Sequence, residues 1–188
     1  MDWRTLLIII HIVGTALGVG GATISDFLFF KVLKKGNLDK VEYGFLKAIS
    51  KVIWIGFFIL VLSGFGFLIL YRLNLPEAGL IYNPKLWAKI VVVLIILFNG
   101  ILMHAKIFTF FEKNLGKKFT EIDFRKKANL IFTTGAISII SWYSVLILGG
   151  WRSLNFKYSF FEIFGSYLII LAVAIIIANF IGRRFLNK

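Results

Sequence analysis

Residues 5–30 read TLLIIIHIVGTALGVGGATISDFLFF, an apolar run longer than the roughly 20 residues with which a helix crosses the hydrocarbon core of a bilayer. Four further runs of this kind follow at about 48–71, 86–109, 128–149 and 160–182. Together they predict an all-α fold, a polytopic membrane bundle of five transmembrane helices. The runs leave no sizeable soluble segment, so we expect one integral membrane domain over residues 1–188.

The amino-acid composition is typical of a protein embedded in a lipid bilayer. Of the 188 residues, 59% are hydrophobic and only 16% are charged, which is too apolar for a water-soluble domain of this length. The chain contains no cysteine, so disulfides and thiolate metal sites are excluded.

The chain has a net charge of +13, and its basic residues are concentrated on one side of the predicted membrane. Sixteen of the 22 Lys and Arg residues fall in residues 31–51, 106–127 and 183–188, and six lie toward the opposite side. Basic residues concentrate on the cytoplasmic side of membrane proteins, so we expect the N-terminus outside and the C-terminus in the cytoplasm. This pattern predicts a multi-pass protein of a bacterial cell (inner) membrane, with the lipid bilayer rather than a nucleic acid as its partner.

The first predicted helix has a face of small and polar residues. At 100° per residue the opposite side is Leu, Ile, Val and Phe. The small and polar face holds His11, Gly14, Thr15, Gly18, Ala22, Ser25 and Asp26. Small residues four apart allow a neighbouring helix or a flat ligand to approach closely. The histidine on this face is therefore a metal or haem ligand, a hydrogen-bonded packing residue or a proton relay.

Depth separates the candidate residues into two groups. Lys89 and His104 share one side of the third predicted helix, although Lys89 is also placed to extend its amine to water. At 1.5 Å per residue, His11 and His104 differ by about 17 Å in depth and cannot ligate opposite faces of one iron. The pairs predicted to meet are His11 with Lys89 near the outer surface and Asp26 with His104 near the inner one.

The string His11-Ile-Val-Gly14-Thr-Ala-Leu-Gly18-Val-Gly-Gly21 resembles the first helix of CopD-like copper-resistance membrane domains and HemJ-type protoporphyrinogen oxidases. Pro84-Lys-Leu-Trp87-Ala-Lys89-Ile is similar to the start of the third helix in HemJ-type proteins, whereas Asn99-Gly100 followed by His104 is closer to the CopD-like pattern. The resemblance covers the first three helices.

HemJ-type proteins bind haem b through the first-helix histidine, with the third-helix lysine at the same site. The resemblance thus implies His11 as an axial ligand and Lys89 as its companion. HemJ-type first helices also carry an arginine and a second histidine toward the cytoplasmic end, where this chain has Asp26 and Lys31. That departure argues against protoporphyrinogen oxidase activity, but not against haem binding.

The sequence therefore predicts a haem-b-binding membrane protein for redox or electron transfer, with enzymatic oxidoreductase activity left open. Its predicted cofactor-binding residues are His11, Gly14, Gly18 and Lys89, with His11 as the metal ligand, and no catalytic residue is assigned. A membrane redox partner or a second copy would accompany it. Two alternatives remain: a transporter subunit for a metal ion or small solute that uses Asp26 and His104, and a non-catalytic membrane assembly partner.

Overall fold

The computed structural model describes residues 2–73 and 75–186, without the side chains of residues 75–78 and 185–186. Within these residues the chain forms five long helices: α1 (Trp3–Lys35), α2 (Lys40–Leu73), α3 (Pro84–Glu112), α4 (Phe124–Gly150) and α5 (Phe160–Leu186). The all-helical fold and the number and order of the predicted helices are confirmed. The first two helices extend several residues beyond the apolar runs, because the lysine-rich segments around their connection are also helical.

All five helices are long and apolar enough to cross a membrane. Their outward faces carry large apolar side chains, among them Phe161 at 82%, Phe27 at 75% and Leu62 at 70% exposure. A surface of this kind would promote aggregation in water, whereas it is the normal surface of a protein in lipid. The architecture is that of a multi-pass membrane protein.

Local hydrogen bonds fix the turn between α1 and α2. Gly36 adopts a left-handed conformation with φ 84°, and its N–H donates to the carbonyl of Val32 at 3.0 Å, which closes the end of α1. Asp39 and Glu42 then form a reciprocal cap, each carboxylate accepting the backbone N–H of the other residue. The Glu42 backbone N–H and the Lys35 ammonium hold the pKa of the Asp39 carboxyl below its usual value.

Glycines bring α1 and α2 into direct backbone contact. A Cβ atom on Gly14 would lie 2.7 Å from the backbone nitrogen of Leu60 and 2.9 Å from the carbonyl oxygen of Gly56. A Cβ atom on Gly56 would in turn lie 2.8 Å from the backbone nitrogen of Gly18. The small-residue face of the first helix is thus used, in part, for packing against the second.

The remaining helices complete a bundle around α1. Trp142 of α4 is 1% exposed and lies against Gly18, where any added Cβ atom would collide with its ring. The third helix packs on α4, with α5 behind both of them. We call the space enclosed by α1, α2, α3 and α4 the central seam. The two cavities discussed below lie in this seam.

One irregular turn interrupts α3. Residues Met103–Phe108 form a π-helical segment between regular helical stretches. A π-helical turn inside an α-helix is uncommon and is frequently found at functional sites. His104 lies in this segment, so the irregularity falls at one end of the central seam.

The glycine contact predicts a sharp difference between two substitutions on the same helix. For Gly14→Ala we expect a loss of about 1–3 kcal/mol of stability, because the new methyl group meets backbone atoms that cannot turn away. Gly20→Ala is the matched control, since a Cβ atom there has nothing within 4 Å. Thermal unfolding in detergent, followed by tryptophan fluorescence, measures both. Equal midpoints for the two variants would contradict the close contact of α1 and α2.

Candidate functional site

A large cavity occupies the central seam at the N-terminal end of α1. We call it the His11 cavity; its volume is about 840 Å³. Its walls come from α1, α2, α3 and α4 and from the connection that follows α4. Its lining residues include His11, Phe67, Leu86, Lys89 and Val145. A cavity of this size lies in the range of binding sites for cofactors and drug-sized ligands.

A serine on α2 holds the His11 ring. Nδ1 of His11 lies 2.8 Å from Oγ of Ser63, which itself lies 2.7 Å from the carbonyl oxygen of Ile59. The carbonyl oxygen of Leu60 also lies 3.1 Å from this hydroxyl, and because carbonyls can only accept, we assign the single hydroxyl proton of Ser63 to its own helix. Nδ1–H of His11 then donates to Ser63, and we assign the imidazole to this tautomer. The ring is further steadied by an edge contact with Phe67, at 5.6 Å between ring centroids.

This tautomer leaves the other ring nitrogen available. With the proton on Nδ1, Nε2 carries the lone pair, which is the form of histidine that binds a metal. Among the side chains and backbone groups that the structure describes, none donates a hydrogen bond to Nε2. A metal-binding histidine typically has its second nitrogen fixed by a hydrogen bond of this kind. The His11–Ser63 pair thus has the arrangement of a ligand and its orienting residue.

Four basic residues face the same cavity. Arg4, Lys85, Lys89 and Arg152 are part of its lining, and no carboxylate is found among the described lining residues. The side chain of Lys85 is 8% exposed, and its ammonium donates to the carbonyl of Trp151 at 3.1 Å. The cavity therefore combines apolar walls with positive charge, which favours a largely apolar ligand that carries acidic groups.

The connection after α4 is tied to the start of α3. Asn83 is 5% exposed, and its Oδ1 accepts the backbone N–H of Lys85 at 3.1 Å and that of Phe156 at 3.4 Å. The first bond caps α3, because Asn83 precedes the proline that opens the helix. The second bond, together with the contact from Lys85 to Trp151, holds the connection beside the cavity.

The structure brings two of the four predicted cofactor-binding residues together. His11 and Lys89 both line the cavity. Gly14 and Gly18 do not, because Gly14 contacts the backbone of α2 and Gly18 contacts Trp142. The two glycines set the position of α1 and leave no space for a ligand beside them, so we omit them from the proposed site.

The predicted inner residues lie at another cavity, toward the C-terminal end of α1. Asp26 and His104 both line this smaller space. They do not bond each other as expected: Nε2 of His104 lies 2.8 Å from Oγ of Ser50, and its ring stacks on Phe108 at 4.8 Å. Ser50 is buried on α2, and its hydroxyl occupies the hydrogen-bonding position at Nε2 that Asp26 was predicted to fill.

Sequence reasoning missed two basic residues of the His11 cavity and the partner of His11. Lys85 and Arg152, which contribute positive charge, were not assigned to the cavity, and Ser63 was not assigned as the residue that fixes His11. Lys85 had a usable signal, since it lies four residues before Lys89 and so faces the same side of the helix. The position of Ser63 opposite His11 depends on the rotation of α2 about its axis, for which the sequence has no comparable signal.

No family model, curated protein or solved structure matches this chain. The resemblance to CopD-like and HemJ-type proteins therefore depends on the quoted motifs alone. Among the described lining residues of the cavity, His11 is the single His, Cys, Asp or Glu side chain. One imidazole is a weak site for a bare ion, whereas an iron porphyrin brings its own four nitrogen ligands and needs only an axial one.

Proposed function

We propose that this membrane protein binds haem b in the His11 cavity and uses it for redox or electron transfer. The observation that carries the proposal is the Nε2 atom of His11, which is available as a ligand while Ser63 holds Nδ1. That nitrogen belongs to a side chain lining a cavity of about 840 Å³.

The residues of the cavity fit the chemistry of haem. The porphyrin is a large apolar ring, and Phe67, Leu86 and Val145 supply apolar surface on three different helices. Haem b also carries propionate carboxylates, for which Lys85 at the start of α3 and Arg152 in the connection after α4 are suitable cations. A bare metal ion would use neither feature.

When bound, haem supplies one-electron chemistry. In this proposal Nε2 of His11 would hold the haem iron, and Ser63 would orient the imidazole. The amine of Lys89 lies in the same cavity as a second basic group, and the apolar walls limit the access of water. A membrane redox partner would supply or remove the electron. Activity as an oxidoreductase would need a substrate as well, and the proposal assigns no catalytic residue.

The main test is the absorption spectrum of the detergent-purified protein, with a pyridine haemochrome assay for the haem type. We expect a Soret band for the wild type and for His104→Ala, and its loss in His11→Gly. Added imidazole should restore the band in His11→Gly, because the small ligand replaces the missing side chain. A wild-type protein without a Soret band, even after incubation with haem, would refute haem binding.

The hydrogen bond of Ser63 predicts a smaller effect. Ser63→Ala removes the acceptor for Nδ1–H and should weaken haem affinity roughly 10–100-fold, as loss of a residue that orients a metal ligand does. Haem titration of the apoprotein measures this. The matched control is Ser166→Ala, since Ser166 is exposed and bonds only within its own helix. Equal affinity in Ser63→Ala and wild type would remove Ser63 from the site.

We also propose the topology that the basic residues favour, in a bacterial cell membrane with the N-terminus outside. The His11 cavity would then face the outer half of the bilayer. The absence of native cysteine allows a direct test with single-cysteine variants. In intact cells an impermeant maleimide should label Ser153→Cys and spare Thr120→Cys, both exposed positions in connections at opposite ends of the bundle. The reverse labelling would invert the proposed topology.

A further inference from the structure

A second polar cavity lies in the central seam near the C-terminal end of α1. We call it the Asp26 cavity; its volume is about 60 Å³, and it is lined by Ser25, Asp26, Ser50, Asn99, Ser138 and Trp142, among others. A neighbouring space of about 50 Å³ is lined by Ser25 and Asp26 as well. Volumes of this size hold a few water molecules or a small ion. Asp26 lies where the two spaces adjoin.

The carboxylate of Asp26 has no protein partner. In the described part of the chain it forms no hydrogen bond and no ion pair, and the nearby imidazole of His104 bonds Ser50 instead. At 1.5 Å per residue, Asp26 lies about 13 Å before the end of α1 at Lys35, well inside the helix. A carboxylate in such an apolar setting is costly unless a proton or a cation neutralises it.

A second, independent observation comes from α3. Asn99 is only 6% exposed, and its Nδ2 donates to the carbonyl of Thr134 at 3.0 Å. That bond fixes the orientation of the amide, because the opposite orientation would place two acceptors together. The Oδ1 atom is then buried without a hydrogen-bond donor. A buried acceptor of this kind calls for a partner that the described residues do not provide.

The chemistry of the lining residues restricts the class of ligand that the cavity can bind. The polar lining is mostly oxygen: one carboxylate, one amide oxygen and serine hydroxyls from α1, α2 and α4. The His104 imidazole also lines the cavity, and its Nε2 is engaged by Ser50. Oxygen donors suit hard cations, and calcium or magnesium sites generally combine several carboxylates or retained waters. A single carboxylate balances a single positive charge. The small volume also favours an ion that has lost most of its water.

We propose that the Asp26 cavity is a binding site for a small monovalent cation, Na⁺, held by the Asp26 carboxylate and the Asn99 amide oxygen. Ser25 and Ser138 complete the oxygen lining from α1 and α4. The π-helical segment of α3 begins four residues after Asn99, at Met103, and this places a local irregularity beside the site.

This proposal is independent of haem binding. The buried residues Val19, Phe57, Val92 and Trp142 form an apolar cluster in the same seam, and neither Phe57 nor Trp142 lines the His11 cavity. The two cavities share no lining residue. His11→Gly should therefore remove haem and leave cation binding intact, so failure of one proposal is distinguishable from failure of the other.

Direct binding to the full-length, detergent-purified protein provides the test. Equilibrium dialysis with ²²Na⁺ should show saturable binding of about one ion per chain, with choline chloride holding the ionic strength constant. The midpoint temperature of thermal unfolding should rise with NaCl and not with choline chloride, since a ligand that binds only the folded state stabilises that state. If the wild type retains no ²²Na⁺, the site is wrong and Asp26 is neutralised by a proton.

Substitutions locate the ion. Asp26→Asn and Asn99→Ala should each weaken ²²Na⁺ binding by on the order of tenfold or more, as expected when one of few ligands is lost. The controls are Asp123→Asn and Asn129→Ala, which change the same residue types at exposed positions on or beside α4. If Asp26→Asn folds and binds Na⁺ like the wild type, the proposal fails. Should a variant not fold, the wild-type dialysis alone decides.

Discussion

The backbone contact between α1 and α2 is the constraint on which the rest of the structure depends. Because Gly14 and Gly56 carry no side chains, the two helices touch at their main-chain atoms. On the other side of α1, the ring of Trp142 packs directly against Gly18, so α1 is held between α2 and α4. This central position directs His11 and Asp26 into the seam rather than toward lipid, where ionisable groups would be far more costly.

The hydrogen bonds of the seam distinguish groups that the protein satisfies by itself from groups that it does not. In the assigned tautomer, the hydroxyl of Ser63 donates to a carbonyl of its own helix and accepts from Nδ1–H of His11. Nε2 is then the one polar atom of this pair without a hydrogen bond to the described residues. Asn99 is complete except for Oδ1, and Asp26 has no bond to the described residues. Since proteins pair almost all of their buried polar groups, we propose these remaining atoms as the points that the two ligands would contact.

The sequence predicted the helices well and the contacts between them less well. Apolar length alone identifies a transmembrane helix, because only a helix satisfies its backbone in lipid. The polar face of α1 was also recognised, but its members serve different purposes: His11 faces a cavity, Gly14 faces α2 and Gly18 faces Trp142. Periodicity places residues on one side of a helix and contains no information on what covers each of them. For the same reason the serine partners of both histidines were not predicted.

The two cavities differ most in charge, and charge is what selects their ligands. The His11 cavity has basic side chains from α1, α3 and the connection after α4. The Asp26 cavity has a carboxylate beside neutral oxygens and the His104 imidazole, and no Lys or Arg is found among its described lining residues. In a medium of low dielectric constant such differences act over longer distances than they do in water. An anionic ligand is therefore favoured at one end of the seam and a cation at the other. The apolar cluster around Trp142 separates the two ends, so each cavity selects its ligand by the charge of its own lining.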